Sequence, residues 1–287
     1  MEKTNTIWIR VLSSLFLLLT AVQCIYAHDA RQQAAWAVLN IGLTDRSSGE
    51  RALAVGVLGL LANDPQAPQL AMHSLDDPKP EVMAAAADAI GQLKYQPARS
   101  KIKEILHRND EDPVIVLACA RALVELGDEE GYAVYYAILT GERKSGLSLT
   151  ERQKKEIKDP KKMAELGSSF IPIPFAGLGY GAFKALTRDD ASPAQAAAAK
   201  MLIKDSDPKT KEALINASRH KSWTVRVAAV DSLARRDDPS VIPELEPRLS
   251  DDKDAVRYTA AAAIIRLAEL QNTSADLRYR TAAASLK

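Results

Sequence analysis

The residues with the widest chemical reach in this 287-residue chain are four histidines, two cysteines and one glycine run ending at a lysine. Gly177, Gly179 and Gly181 precede Lys184, and glycines followed by lysine are how a loop cradles phosphate. This run lacks the Lys-Ser/Thr ending and the full glycine spacing, and no strand–helix–strand context surrounds it, so the phosphate reading is rejected. His28, His73, His107 and His220 do not pair at metal-ligand spacing. Cys24 and Cys119 form no CxxC, and no nucleophile elbow is present. Cys119, flanked by Leu117, Ala118 and Ala120, reads as a small core residue. The expectation is therefore no catalytic residue, no metal site and no cofactor.

Recognition chemistry is more promising. Residues 141–162 carry Arg143, Lys144, Arg152, Lys154, Lys155, Lys158, Lys161 and Lys162 against four acids. Thr150-Glu-Arg-Gln153 has capping-box spacing, predicting a short helix from about Glu151 to Lys158. Residues 170–186 are apolar and rich in Pro and Gly, with Phe170, Ile171, Ile173, Phe175 and Tyr180. Three readings stand side by side. The apolar half can pack on the rest of the protein, with Ile171, Ile173 and Phe175 filling a gap in it. The basic and apolar halves together can touch an anionic membrane surface. An irregular segment on a rigid support can bind a partner. The candidate partner-binding residues are Arg152, Lys155, Lys158, Phe170, Ile171, Phe175 and Tyr180.

The support is written as a repeat. Leu58, Ile90, Leu123, Leu202, Leu233 and Ile264 share one register, at steps of 32, 33, 79, 31 and 31. Each ends an apolar stretch in which Ala fills most places between larger residues: 51–58, 82–90, 115–123, 194–202, 225–233 and 256–264. A helix apolar around so much of its circumference must be covered on several sides. More polar helices are expected over 66–75, 98–107, 209–219 and 241–249, with Asp-rich, often Pro-containing junctions at 76–78, 110–113, 237–239 and 251–252. Asp suits a helix N-cap and Pro its first turn. No single helix pair can bury its own apolar face, so the pairs must stack.

Val241 to Ile264, with Asp251-Asp252 in its turn and Val256-Arg257 opening an Ala-rich helix, resembles a HEAT repeat, and more narrowly the short bacterial form named after the phycobilisome lyases. Val225-Arg226 and Asp231 repeat the pattern, and the resemblance covers two blocks, roughly 48–140 and 192–270. It implies an all-α, right-handed α-solenoid of stacked antiparallel helix pairs with one atypical insertion. It also implies that Arg226 and Arg257 reach a turn acid of an adjacent repeat; Met83 and Val116 hold that place in earlier repeats. Asp88, Arg121 and Asp231 share a second helical position, read as a polar ladder between repeats or as a ligand-contacting concave face. HEAT-like hydroxylases hold iron with His-Glu pairs, and no histidine here adjoins Glu.

At the N-terminus Lys3 and Arg10 precede an uncharged stretch, 11–27, centred on Leu15–Leu19 and ending Ile25-Tyr26-Ala27. This reads as a cleaved secretory signal, too short for a membrane span of ~20 residues. An uncleaved anchor is the alternative, and Gln23 makes Cys24 a poor lipidation site. Without residues 1–27 the chain has 36 basic and 36 acidic residues and one cysteine, so no global field draws it to nucleic acid and no internal disulfide forms. The expected organisation is 1–27 signal, 28–140 capping helix (with Trp36 over the open end) and repeats, 141–190 insertion, 191–270 repeats, and 271–287 cap or tail. The expected function is non-catalytic: an exported scaffold, periplasmic or in the cell envelope if bacterial, binding a protein or peptide partner. The alternatives are an accessory subunit docked to a membrane complex through the insertion and, more remotely, an enzyme with an unrecognised site.

Overall fold

The computed structural model describes residues 30–108, 112–140 and 193–284, and every regular element among them is helical. Helix α1 covers 30–43. Helix α2 (Ser48–Gly56) tightens into a 3-10 turn, Val57–Leu60, and is followed by α3 (Gln66–Ser74) and α4 (Pro80–Leu93). Then come α5 (Arg99–Leu106), α6 (Pro113–Glu125) and α7 (Glu130–Thr140). The second block holds α8 (Pro193–Met201), α9 (Pro208–Ala217), α10 (Trp223–Arg235), the one-turn α11 (Ile242–Leu245) and the long α12 (Asp254–Ala284). The polar helix expected over 241–249 is broken into a single α turn between 3-10 turns, because Pro243 and Pro247 remove N–H donors within one stretch.

The register residues explain the packing. Leu58, Ile90, Leu123, Leu233 and Ile264 are fully buried, while Leu202 is half-buried. Alanine around them lets inner helices approach: a Cβ added at Gly91 would lie 3.0 Å from the Ala122 Cα. The exits repeat too. Four residues past the register stand Lys94, Gly127 and Asp237, all with positive φ, at the left-handed turn that ends a helix. In two of these exits the register carbonyl accepts the N–H five residues on, Tyr95 to Ile90 and Asp128 to Leu123. Asp112 and Asp207 cap α6 and α9 ahead of Pro113 and Pro208. Asp77 and Asp251 are not helix caps; their carboxylates serve arginines of the preceding repeat.

The spatial order of the repeats differs from their order in the chain. Inner helix α4 lies between α2 and α6, and α10 lies between α8 and α12. The last inner helix, α12, then packs on the first, α2, and on its 3-10 turn. The stack thus runs α8, α10, α12, α2, α4, α6, and among the described residues no comparable packing joins α6 or α7 to α8. The last described helix of the first block and the first of the second therefore lie at opposite ends of this stack. Ile171, Ile173 and Phe175, expected to fill a gap in the stack, lie outside the described region, as do residues 1–29 and the expected helix from about Glu151 to Lys158.

Helix α1 does not cover an open end. It crosses the joint between the halves: a Cβ on Gly42 would meet the Tyr258 ring at 2.5 Å and the Ala54 Cβ at 2.8 Å, and Arg31 pairs with Glu246 at 2.6 Å. Trp36 is half-buried against the core there. At the other terminus α12 continues as one helix to Ala284.

Candidate functional site

Seven residues before each register position, an arginine recurs in three repeats. Arg226 donates to the His220 and Lys221 carbonyls, both at 3.1 Å, and to Asp251 at 2.6 Å and Asp252 at 2.5 Å. Arg51 repeats the geometry, donating to the Asp45 and Arg46 carbonyls and holding Asp77 in a two-pronged pair at 2.8 and 3.0 Å. Arg257 takes the Asp251 carbonyl at 2.8 Å and pairs with Asp254 of its own first turn. It therefore does not bridge to a turn acid as the family pattern implied; its charge and that of Asp45 both act on Glu50 of α2. Arg51 was overlooked in the sequence although it stands seven residues before Leu58, as Arg226 stands before Leu233.

A second line runs two residues before the register. In spatial order it reads Lys200, Asp231, Ala262, Gly56, Asp88, Arg121. Two ion pairs flank two small residues at the joint. Lys200 meets Asp231 at 3.4 Å, and Arg121 grips Asp88 at 2.8 and 3.0 Å. Arg235 binds Asp231 at 3.0 Å from the next turn and then donates to Gln92 of α4 at 3.3 Å. Helices α10 and α4 are three places apart in the stack, which on a flat face is roughly 24–30 Å of interaxial distance. Two side chains cannot span that, so the helix ends converge and this face is concave. Neither Lys200 nor the Arg235–Gln92 contact was drawn from the sequence: Lys200 was visible by offset, but the contact exists only because α12 closes on α2.

Burial pushes the Asp88 carboxyl up, to about 7, against the pull of Arg121. Burial also lowers the Lys200 ammonium, with Asp231 opposing it. These groups are partnered and act as struts. The exposed inner positions two residues past the register, Gln92, Glu125 and Arg235, are what the face offers to another molecule. Among the described residues no cluster of His, Cys, Asp or Glu is placed to hold a metal ion, and no helix is long and apolar enough to cross a membrane. Arg152, Lys155, Lys158, Phe170, Ile171, Phe175 and Tyr180 all lie outside the described residues.

The family model for HEAT repeats matches residues 36–123 and 181–265, more than half of the chain. The chain belongs to the HEAT-repeat family. No curated protein matches it as a whole sequence. Among solved structures, human deoxyhypusine hydroxylase in complex with glycerol is similar at 16% identity and a TM-score of 0.33, covering 83% of this chain and 97% of that one. The complex of the phycocyanin lyase subunits CpcE and CpcF from Nostoc sp. is similar at 16% identity and a TM-score of 0.32, covering 80% and 94%. At such scores neither bears on the activity of this HEAT protein. HEAT repeats are commonly non-catalytic and typically mediate protein–protein contacts through extended concave surfaces.

Proposed function

We propose that this HEAT protein is an exported, non-catalytic scaffold that binds a protein or peptide partner in the cell envelope along its inner face. The supporting observation is the Arg235–Gln92 bond, which joins the polar lines of the two halves into one concave surface. The ion pairs Lys200–Asp231 and Arg121–Asp88 stiffen that surface, so less ordering entropy opposes binding. A photo-crosslinking amino acid placed at Glu125, on the inner face, should label one discrete partner in the native envelope. The same group at Glu104, on the outer helix α5, should not. Equal labelling from both faces, or none from Glu125, would refute the assignment. Export rests on the charge and apolar pattern of residues 1–27; N-terminal sequencing of the protein from the envelope fraction should begin at His28, and recovery of the protein only in the cytosolic fraction would refute export.

A further inference from the structure

We infer that the inner face recognises an extended peptide segment carrying a carboxylate and, about three residues away, a cationic side chain, with Arg235 and Gln92 taking the carboxylate and Glu125 taking the cation. This rests on the reading of that face as the binding surface and adds the chemistry of what it binds.

Two residues past the register, the inner helices place Lys204, Arg235, Arg266, Leu60, Gln92 and Glu125 in spatial order. The middle of this line is closed. Leu60 is buried, and Arg266 is committed to the Leu60 carbonyl at 2.8 Å, the Ala234 carbonyl at 3.2 Å and Asp237 at 2.9 Å. Arg235 reaches past that closed middle and donates to the Gln92 side-chain oxygen. Gly59 leaves room for Gln92: a Cβ there would lie 2.8 Å from the same oxygen, so the amide rests directly against the 3-10 turn of α2.

The Arg235 Nε donates to Asp231 at 3.0 Å, and one terminal nitrogen donates to Gln92. Among the described residues the other terminal nitrogen and the Gln92 amide nitrogen have no acceptor. A carboxylate is an acceptor with two oxygens and suits a pair of N–H donors held side by side. Here the two donors come from different halves of the stack and are already tied together. Asp231, the acid that Arg235 holds, is buried and also paired with Lys200, so its charge is compensated.

Glu125 ends α6, the neighbour of α4 in the stack. Its carboxylate is exposed, and among the described residues nothing donates to it. Gly91 lets α4 and α6 approach closely: a Cβ there would lie 3.0 Å from the Ala122 Cα and 3.4 Å from the Glu125 Cβ. Packed helix axes lie about 8–10 Å apart, and a polyproline-type chain rises about 3.1 Å per residue, so three residues cover the step from α4 to α6. Such a chain also repeats every three residues, so an acid and a base at that spacing face the same side.

The test is fluorescence anisotropy of the full chain with four labelled nine-residue peptides on a proline frame. One carries Glu and Lys three residues apart, one two Glu, one two Lys, and one no charge. The Glu/Lys peptide should bind about tenfold tighter than the uncharged and two-Lys peptides, and tighter than the two-Glu peptide, whose second acid meets Glu125. Glu125→Lys alters an exposed side chain that holds nothing in the fold, and it should invert the order so that the two-Glu peptide binds best. Gln92→Ala should weaken both acid-bearing peptides. Equal or undetectable binding of all four peptides, a wild-type preference for two Glu, or an unchanged order in Glu125→Lys would overturn the inference. A partner crosslinked to the inner face through a segment without this charge pair would also overturn it, while leaving the scaffold reading intact.

Discussion

Three arginines in one register position offer a graded test of how the HEAT repeats are tied together. Arg226 is the most buried, and the Asp251 side chain it holds is 3% exposed. In Arg226→Ala that carboxylate keeps the Lys253 N–H at 3.1 Å and a distant Arg248, while two backbone carbonyls lose a donor. Stranding one partner of a buried pair costs about 3–5 kcal/mol. Asp77, held by Arg51, is 13% exposed, so water reaches the stranded acid and Arg51→Ala should cost about 1.5–3 kcal/mol, the range for bonds to charged groups. Arg257 and Asp254 are each 31% exposed, and Arg257→Ala should cost about 1 kcal/mol or less. Urea unfolding followed by helical circular dichroism gives the three losses directly. A pH check is built in. Burial raises the Asp251 carboxyl, but Arg226, the Lys253 N–H and Asp252 together hold it below the usual carboxylate range. A depressed acid contributes stability above its unfolded value of about 4 and loses it as pH falls through the folded value. The gap between wild type and Arg226→Ala should therefore close in acid. Equal losses for the three variants, or a larger loss for Arg257→Ala than for Arg226→Ala, would refute the burial argument.

Other expectations follow from particular sites. Leu233→Ala should cost about 2–5 kcal/mol, because the side chain is fully buried, whereas Met201→Ala, at 82% exposed, should stay within about 0.5 kcal/mol in the same urea titrations. Asp88, raised to about 7, contributes stability that is present below its unfolded value and lost as pH rises through 7; Asp88→Asn should flatten that part of the stability–pH curve, and an unchanged slope would contradict it. Gly131→Ala drives a Cβ into the Ala120 carbonyl and Val124, an overpacking loss of about 1–3 kcal/mol. Gly127→Ala meets open space and should lose only the left-handed backbone preference, about 1–2 kcal/mol, with Gly127→Asn milder; thermal melts separate the two mechanisms.

The sequence by itself determined the repeat. A register of buried Leu and Ile at steps near 32, Ala between them and Asp-Pro junctions are local requirements of an inner helix and its turns, and local requirements are written in local residues. The same register carried Arg51 and Lys200, which stand at the offsets of Arg226 and Asp231. The tertiary structure alone decided how the repeats are ordered. Chain order placed residues 141–190 within the stack, but α12 closes on α2 because the unpaired apolar faces at the end of the second block and the start of the first are alike. Any such face can cover any other, and periodicity cannot say which pairing forms. From that closure come the features no window of sequence contains: the Arg235–Gln92 bond across 143 positions, Arg266 on the Leu60 carbonyl, and Gly42 against Tyr258.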